Sequence, residues 1–436
     1  MKNMMMVLAL LISSATVAQG VPSPTQANVA GAQAPVVAAA VQAQGLAADQ
    51  GAAAAAVQAA APVKKKRKGM FEKFLPILIL LVVVGLLLSR LPAPNFDGAD
   101  SSWRTKAFRK RRMMNWMPLG LTYAFLFMGR YNLTVSKKVF GQMRDSDGGV
   151  IMGNEAFGII FAAGTVVYGL SFLINGPLTD RLGGKFAILM GAGGSCLINL
   201  VMGLAAYSLG NNGPMSGYIG DNFVVLFSVL YALNMYFQSF GAVAIVKVNS
   251  AWFHLRERGE FGAIFGILIS LGVYFAFDIG GMIIKTESLG LTGVFLVPTV
   301  LLAIFWVINL VWVKNEPVQA GLVNFDTADA SSGDDGPQKG SVEVFKMMLS
   351  NPVIVTIALI EFCSGFLRQA IMQWYQSFAK QTDAVLGLRD SFVNENWGML
   401  LCIAGITGGV FAGIISDRVF QSRRGKKIKD NLPKQK

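Results

Sequence analysis

From Asn115 onward the chain is a succession of apolar segments, at about 115–136, 154–178, 186–207, 222–249, 262–284, 293–313, 352–378 and 396–416. At about 1.5 Å per helical residue, each is long enough to cross a hydrocarbon core of roughly 30 Å. A spanning segment must satisfy every backbone polar group internally, so segments of this length read as helices, and barrel strands are about half as long. The expected fold is therefore all-α, a polytopic membrane helix bundle with eight such spans. Composition agrees: charged residues are 14% of the chain against about 25% in soluble proteins, too few for a water-soluble enzyme. Cys196, Cys363 and Cys402 all fall inside apolar segments and give neither a disulfide framework nor metal-ligand spacing, and His254 is the only histidine. Neither a metal nor an organic cofactor is expected.

The net charge of +13 sits mostly in short basic runs between spans. Arg181 and Lys185 follow the second span, Arg256 and Arg258 the fourth, and Arg418 to Lys436 the eighth. By the positive-inside tendency these loops are cytoplasmic, and the first span starts in the cytoplasm. Lys137, Lys138 and Arg144 are exceptions on the opposite side. The segment 314–350 is long, acidic and Ser/Gly-rich, as in Ser331-Ser332-Gly333-Asp334-Asp335-Gly336, and reads as a flexible cytoplasmic connector. It divides the bundle into a six-span half, 115–313, and a two-span half with a basic tail, 351–436.

The first 114 residues differ in kind. Residues 1–19 combine Lys2, an apolar run and a small-residue end, like a secretory signal peptide. Residues 20–70 are rich in Ala, Gln and Pro, read as a disordered linker, and end in Lys64-Lys65-Lys66-Arg67-Lys68, which reads as a topology or headgroup anchor. An extra hydrophobic helix is expected over 71–91, and 92–114 is a basic cytoplasmic linker containing Arg109-Lys110-Arg111-Arg112.

The chain also repeats itself. Arg130 lies inside one apolar span and Asp180-Arg181 follows the next; Arg368 and Asp417-Arg418 reproduce that arrangement, offset by 238 residues at the first Arg (368 minus 130) and 237 at the Asp (417 minus 180). Such spacing is what a duplicated half-transporter shows. By that symmetry the second half lacks the last four helices, a complete chain would run to roughly 550 residues, and a second chain supplying those helices is a possible partner.

These residues carry a resemblance. Gly176-Pro177-Leu178-Thr179-Asp180-Arg181-Leu182-Gly183-Gly184-Lys185 is similar to the major facilitator motif between its second and third helices, and Gly413-Ile414-Ile415-Ser416-Asp417-Arg418 looks like its second copy. Gly129-Arg130-Tyr131-Asn132 and Trp252-Phe253, with Arg256-Glu257-Arg258-Gly259, resemble the organophosphate:phosphate antiporters, the glycerol-3-phosphate and hexose-phosphate carriers. The resemblance covers about 115–436. It implies that Arg130 and Arg368 face each other across a central cavity and clamp a substrate phosphate. It also implies that Lys247 is a basic residue near the site, and that Asp180, Arg181, Asp417 and Arg418 latch neighbouring helices in one conformational state. Phe172 and Ile269 stand where some relatives carry a lysine and a histidine.

The residues support several roles on their own chemistry. An Arg inside a span costs about 2.5–3.5 kcal/mol on insertion scales, so a matched pair points to use; the bland alternative is a structural ion pair or snorkelling. Guanidinium binds phosphate oxygens through a planar fork and stays charged. Tyr123, Phe127, Arg130 and Thr134 share one helix face, so Tyr123 is either a phosphate donor or a packing residue. Glu361 lies two turns from Arg368, as a charge partner or a proton site, and Asp278 is a second proton-site candidate. Lys247, close to the cytoplasmic helix end, either snorkels or touches substrate. Gly191-Ala192-Gly193-Gly194 sits in an apolar span with no strand before it and reads as helix packing rather than a phosphate loop.

The expectation is a non-enzymatic secondary transporter in a bacterial inner membrane. It would move a small phosphorylated organic anion, exchanged for inorganic phosphate by alternating access, with no nucleic-acid partner. A membrane-bound sugar-phosphate sensor of the same fold, or a carrier for another organic anion, are the alternatives.

Overall fold

In a computed structural model, the described residues are 104–254, 257–327 and 341–418, with Leu75, residues 77–79 and Val82. The signal-like segment, the 20–70 linker, most of the extra helix, Arg256, the Ser/Gly-rich stretch 331–336 and the tail beyond 418 lie outside them.

The described residues form eight long helices: α1 (Lys106–Phe140), α2 (Asn154–Leu182), α3 (Gly184–Gly210), α4 (Phe223–Ser250), α5 (Arg258–Tyr274, continued by a π turn Phe275–Ile279 and by Gly280–Ile283), α6 (Gly290–Trp312), α7 (Pro352–Gln381) and α8 (Trp397–Arg418). Among the described residues the only extended pairing is an isolated bridge between Arg144 and Val150 in the α1–α2 turn. We call the end where α1 begins the inner end and the opposite one the outer end. Among the described residues, six helical stretches are long and apolar enough to cross a membrane: α2, α3, α4, Ile264–Ile283, α6 and α7. α1 falls short of that mark because it carries Arg130, Asn132 and Asn115. It tolerates them because it is central, with nearly every residue from Pro118 to Ser136 buried by its neighbours. α8 is apolar over Trp397–Gly409.

The first six helices form a bundle in which α4 packs on α2 and α3, α6 on α3 and α1, and α5 on α1. Glycine sets one of these approaches. A Cβ on Gly272 of α5 would lie 2.9 Å from both Cα and the carbonyl oxygen of Ala124, so only a hydrogen side chain lets α1 and α5 meet there. α8 lies on α5. Ile77, from the extra hydrophobic segment, is buried with Tyr274, Cys402 and Ile406, beside those two helices. α7 is the exception. From residue 352 to 368 its side chains are almost all exposed, and it is held by its second half through Met372, Gln373 and Ala379.

α1 begins nine residues before the expected span, inside the stretch read as a basic linker. Cations near the start of a helix oppose its dipole, and three arginines here find tertiary partners. Arg112 donates to the Glu257 carboxylate at 2.8 Å and its guanidinium lies 4.4 Å over the Phe253 ring. Arg104 reaches the same carboxylate at 3.1 Å, and Arg111 donates to the Trp312 carbonyl at 2.7 Å. Thr105 caps the helix by accepting from Phe108 N. The start of the connector joins this cluster: Lys314 N donates to Asn115 Oδ1, Trp252 Nε1 donates to the Lys314 carbonyl, and Phe325 packs edge-on against Phe108. Residues 314–327 are thus tied to the inner end of the bundle.

Candidate functional site

Arg130 sits in the second half of α1 and is only 7% exposed. Its Nε donates to Gln238 Oε1 at 2.9 Å, from α4. The guanidinium plane lies 4.4 Å over Tyr168 of α2 and 5.0 Å over Phe127. Its Nη2 is buried and donates to nothing among the described residues. A buried charged donor without an acceptor is costly, so this nitrogen is where a ligand acceptor would be favourable.

Behind the guanidinium runs a chain of side-chain amides. Gln238 Nε2 donates to Asn234 Oδ1 at 3.2 Å, Asn199 Nδ2 to the same oxygen at 3.1 Å, and Asn132 Nδ2 to Asn199 Oδ1 at 2.5 Å. Asn234 Nδ2 donates to the Gly129 carbonyl and the Tyr231 hydroxyl to that of Arg130. A Cβ on Gly129 would lie 2.9 Å from Asn199 Nδ2, so the glycine beside Arg130 is what admits this amide. The network crosses α1, α3 and α4 and fixes the backbone and the Nε edge of Arg130. That leaves Nη2 as the buried donor without a partner among the described residues.

Tyr123 is buried, edge-on to Phe127, and interacts electrostatically with Tyr168 and Arg130. Arg368 is exposed on α7, and Tyr131 feels the charge of both Arg130 and Arg368. Glu361 is also exposed and forms no ion pair with Arg368 among the described residues. The nearest stitch between the halves is the Thr134 hydroxyl donating to Gln373 Oε1 of α7, one turn beyond Arg130.

Other expected site residues lie elsewhere. Lys247 pairs with Asp180 at 2.8 Å, joining the inner ends of α4 and α2. It is nine residues, about 13 Å of helix, from Gln238. Arg181 is exposed beside that pair. Asp278 lies in the π turn of α5, only 9% exposed, where a Cβ on Gly398 of α8 would come within 2.2 Å of its Oδ2. Asp417 and Arg418 end α8, and their side chains lie outside the described residues. Reading the sequence for charge missed Gln238, Asn234, Asn199, Tyr168 and Gln373. A search for uncharged amides inside apolar spans would have found four of these five.

A family model described as the Major Facilitator Superfamily matches residues 119–428. The chain belongs to the Major Facilitator Superfamily. Its matches are carriers and a sensor. It is 21% identical over 346 residues to the glycerol-3-phosphate transporter of Bacillus subtilis, covering 76% of this chain and 71% of that protein. It is 23% identical to the membrane sensor protein UhpC of Salmonella typhimurium, covering 63% and 59%, and 21% identical to a hexose phosphate transport protein of Chlamydia pneumoniae, covering 62% and 57%. The chain thus spans between a little over half and about seven-tenths of these relatives. Within the superfamily the similarity is to the organophosphate:phosphate antiporters. Family and apolar helices together make this a multi-pass membrane protein of a carrier fold rather than an enzyme.

Proposed function

We propose that this chain is a secondary transporter of a small phosphorylated organic anion, exchanged for inorganic phosphate by alternating access in a bacterial inner membrane. The observation that carries this reading is the buried, oriented and incompletely bonded guanidinium of Arg130, with a second arginine, Arg368, exposed on α7. A phosphate accepts from the open Nη edge of Arg130 on one side and from Arg368 on the other, and the halves rock about that point. No covalent bond changes. Tyr168 stacks on the Arg130 guanidinium and Tyr123 lies beside Phe127 on the same helix face; Glu361 neutralises Arg368 between cycles, and Lys247, Asp180 and Arg181 with Asp417 and Arg418 hold the inner ends together in one state.

The exposed first half of α7 supports further helices against it, from the same or a second chain. A lipid-facing Arg368 costs about 2.5–3.5 kcal/mol, and Glu361 faces the same problem. Helices equivalent to α3–α6 of the first half would cover both.

The test is phosphate counterflow in proteoliposomes with the helices of both halves present. Arg130→Ala or Arg368→Ala abolishes exchange, and Arg130→Lys impairs it because the fork is lost. Undiminished exchange in either alanine variant overturns the reading. A sensor is the second reading, favoured by the similarity to a membrane sensor. Ligand binding that requires Arg130, with no counterflow, supports it.

A further inference from the structure

Basic residues are scarce on the outward side of a membrane helix bundle, and Lys137 and Lys138 break that tendency. The structure gathers more of the same kind around them. Lys137 and Lys138 end α1, Lys285 follows α5, and Lys380 and Arg389 come from the end of α7 and the loop after it. All five line a single cavity of about 770 Å³ at the outer end, with Thr134, Gln373 and Ser377 supplying polar groups. That volume is in the range of small-molecule sites, about 300–1,000 Å³. Three carboxylates, Asp278, Asp390 and Glu395, share the lining, so the cations exceed them by two (five minus three). Among the described residues Lys138, Lys380 and Arg389 form no ion pair. Lys137 has no carboxylate either: its ammonium lies 4.3 Å from the Phe157 ring centre and 4.4 Å from that of Trp374, and donates to Ser377 Oγ at 2.8 Å. The Thr134–Gln373 contact lies between this cavity and Arg130, four residues or about 6 Å along α1.

We propose that the outer cavity is an anion site separate from Arg130, taking a phosphate dianion or phosphomonoester on Lys138, Lys380 and Arg389 with Lys137 beneath. The surplus of two positive charges matches a doubly charged phosphate. Three segments that diverge in sequence converge here, so the cations are gathered by the fold rather than scattered on loops. Charged walls of this kind also concentrate an anion at the mouth of a pathway. The site goes beyond the central one and does not depend on it. Its phosphate comes either from a soluble ester or from a lipid headgroup at the membrane surface, and the experiment separates these.

The full chain is reconstituted in phosphatidylcholine nanodiscs and titrated with radiolabelled inorganic phosphate and glycerol-3-phosphate. Arg130→Ala, which removes the central site, retains a phosphate-binding component. Adding Lys138→Gln, Lys380→Gln and Arg389→Gln to Arg130→Ala weakens that component roughly tenfold or more. Arg389→Glu alone lowers it as well, which guards against a triple variant that misfolds. In a second arm, phosphatidic acid retained by detergent-purified protein is measured by mass spectrometry. If soluble phosphate does not bind Arg130→Ala but lipid retention falls with the three substitutions, the site takes a lipid phosphate. If neither soluble binding to Arg130→Ala nor lipid retention changes with these residues, the proposal is overturned. Loss of exchange in Arg130→Ala with no outer component would leave the central reading standing by itself, and undiminished exchange in Arg130→Ala with the outer component present would leave the outer site standing by itself.

Discussion

Glu257→Ala is the most severe single change the inner end should suffer. The carboxylate is fully buried and takes two cations, Arg112 at 2.8 Å and Arg104 at 3.1 Å. The two are unequal. Arg112 is 10% exposed at its side chain, and Arg104 is 24% exposed. Removing Glu257 leaves Arg112 buried against Phe253 with no counter-charge, and an uncompensated buried charge costs about 3–5 kcal/mol. Arg112→Ala leaves Glu257 with only the more exposed Arg104 and should cost nearly as much. Arg104→Ala removes a better-solvated partner and should cost about 1 kcal/mol or less. Replacing both members, Arg112→Leu with Glu257→Leu, removes the stranded charge and should be milder than either single alanine change. The assay is denaturant unfolding of purified protein in mixed micelles followed by tryptophan fluorescence, since Trp252 lies within the cluster and is fully buried. Losses of the same size for Glu257→Ala and Arg104→Ala, or a double leucine variant worse than the singles, would refute the assignment of a buried ion pair.

Three further outcomes are expected. Gly272→Val forces α5 off the Ala124 backbone and should cost about 1–3 kcal/mol, measured as a lower melting temperature with no effect specific to ligand. Gln238→Leu releases the Arg130 Nε edge and should weaken phosphate binding about tenfold, whereas Gln238→Glu places a competing carboxylate on the guanidinium and should abolish it; wild-type affinity in both would exclude a positioning role. Lys247→Ala breaks a pair whose side chains are 42% and 67% exposed, so stability should change by less than about 1 kcal/mol. A tenfold loss of substrate affinity in that variant, read by isothermal titration, would place Lys247 in the binding site instead.

The arginines were visible in the sequence because charge inside an apolar run is rare and has few cheap explanations. Their partners were not. Gln238, Asn234 and Asn199 come from helices α4 and α3, and nothing in a linear pattern says which face of α4 meets Arg130. Charge alone was also a poor guide to place. Lys247 and Asp180 are 67 residues apart, yet they close on each other at the inner end. Arg111 and Arg112 read as a topology signal but are held by Trp312 and Glu257. The two readings of the basic run are compatible, because a cation can set orientation during insertion and find its partner once the bundle closes.

Hydrophobic length by itself determined the helices, their order and the membrane. A bilayer leaves an apolar segment of more than 20 residues no other way to satisfy its backbone. The repeated Arg and Asp spacing is legible without any structure, because it is written directly in the sequence. Only the tertiary structure decided which polar groups share a space. Helix rotation and crossing are set by packing, through close contacts such as Gly272 on Ala124 and Gly129 under Asn199. The same packing gathers five outer-end cations from three segments around one cavity and leaves Nη2 of Arg130 without a partner among the described residues.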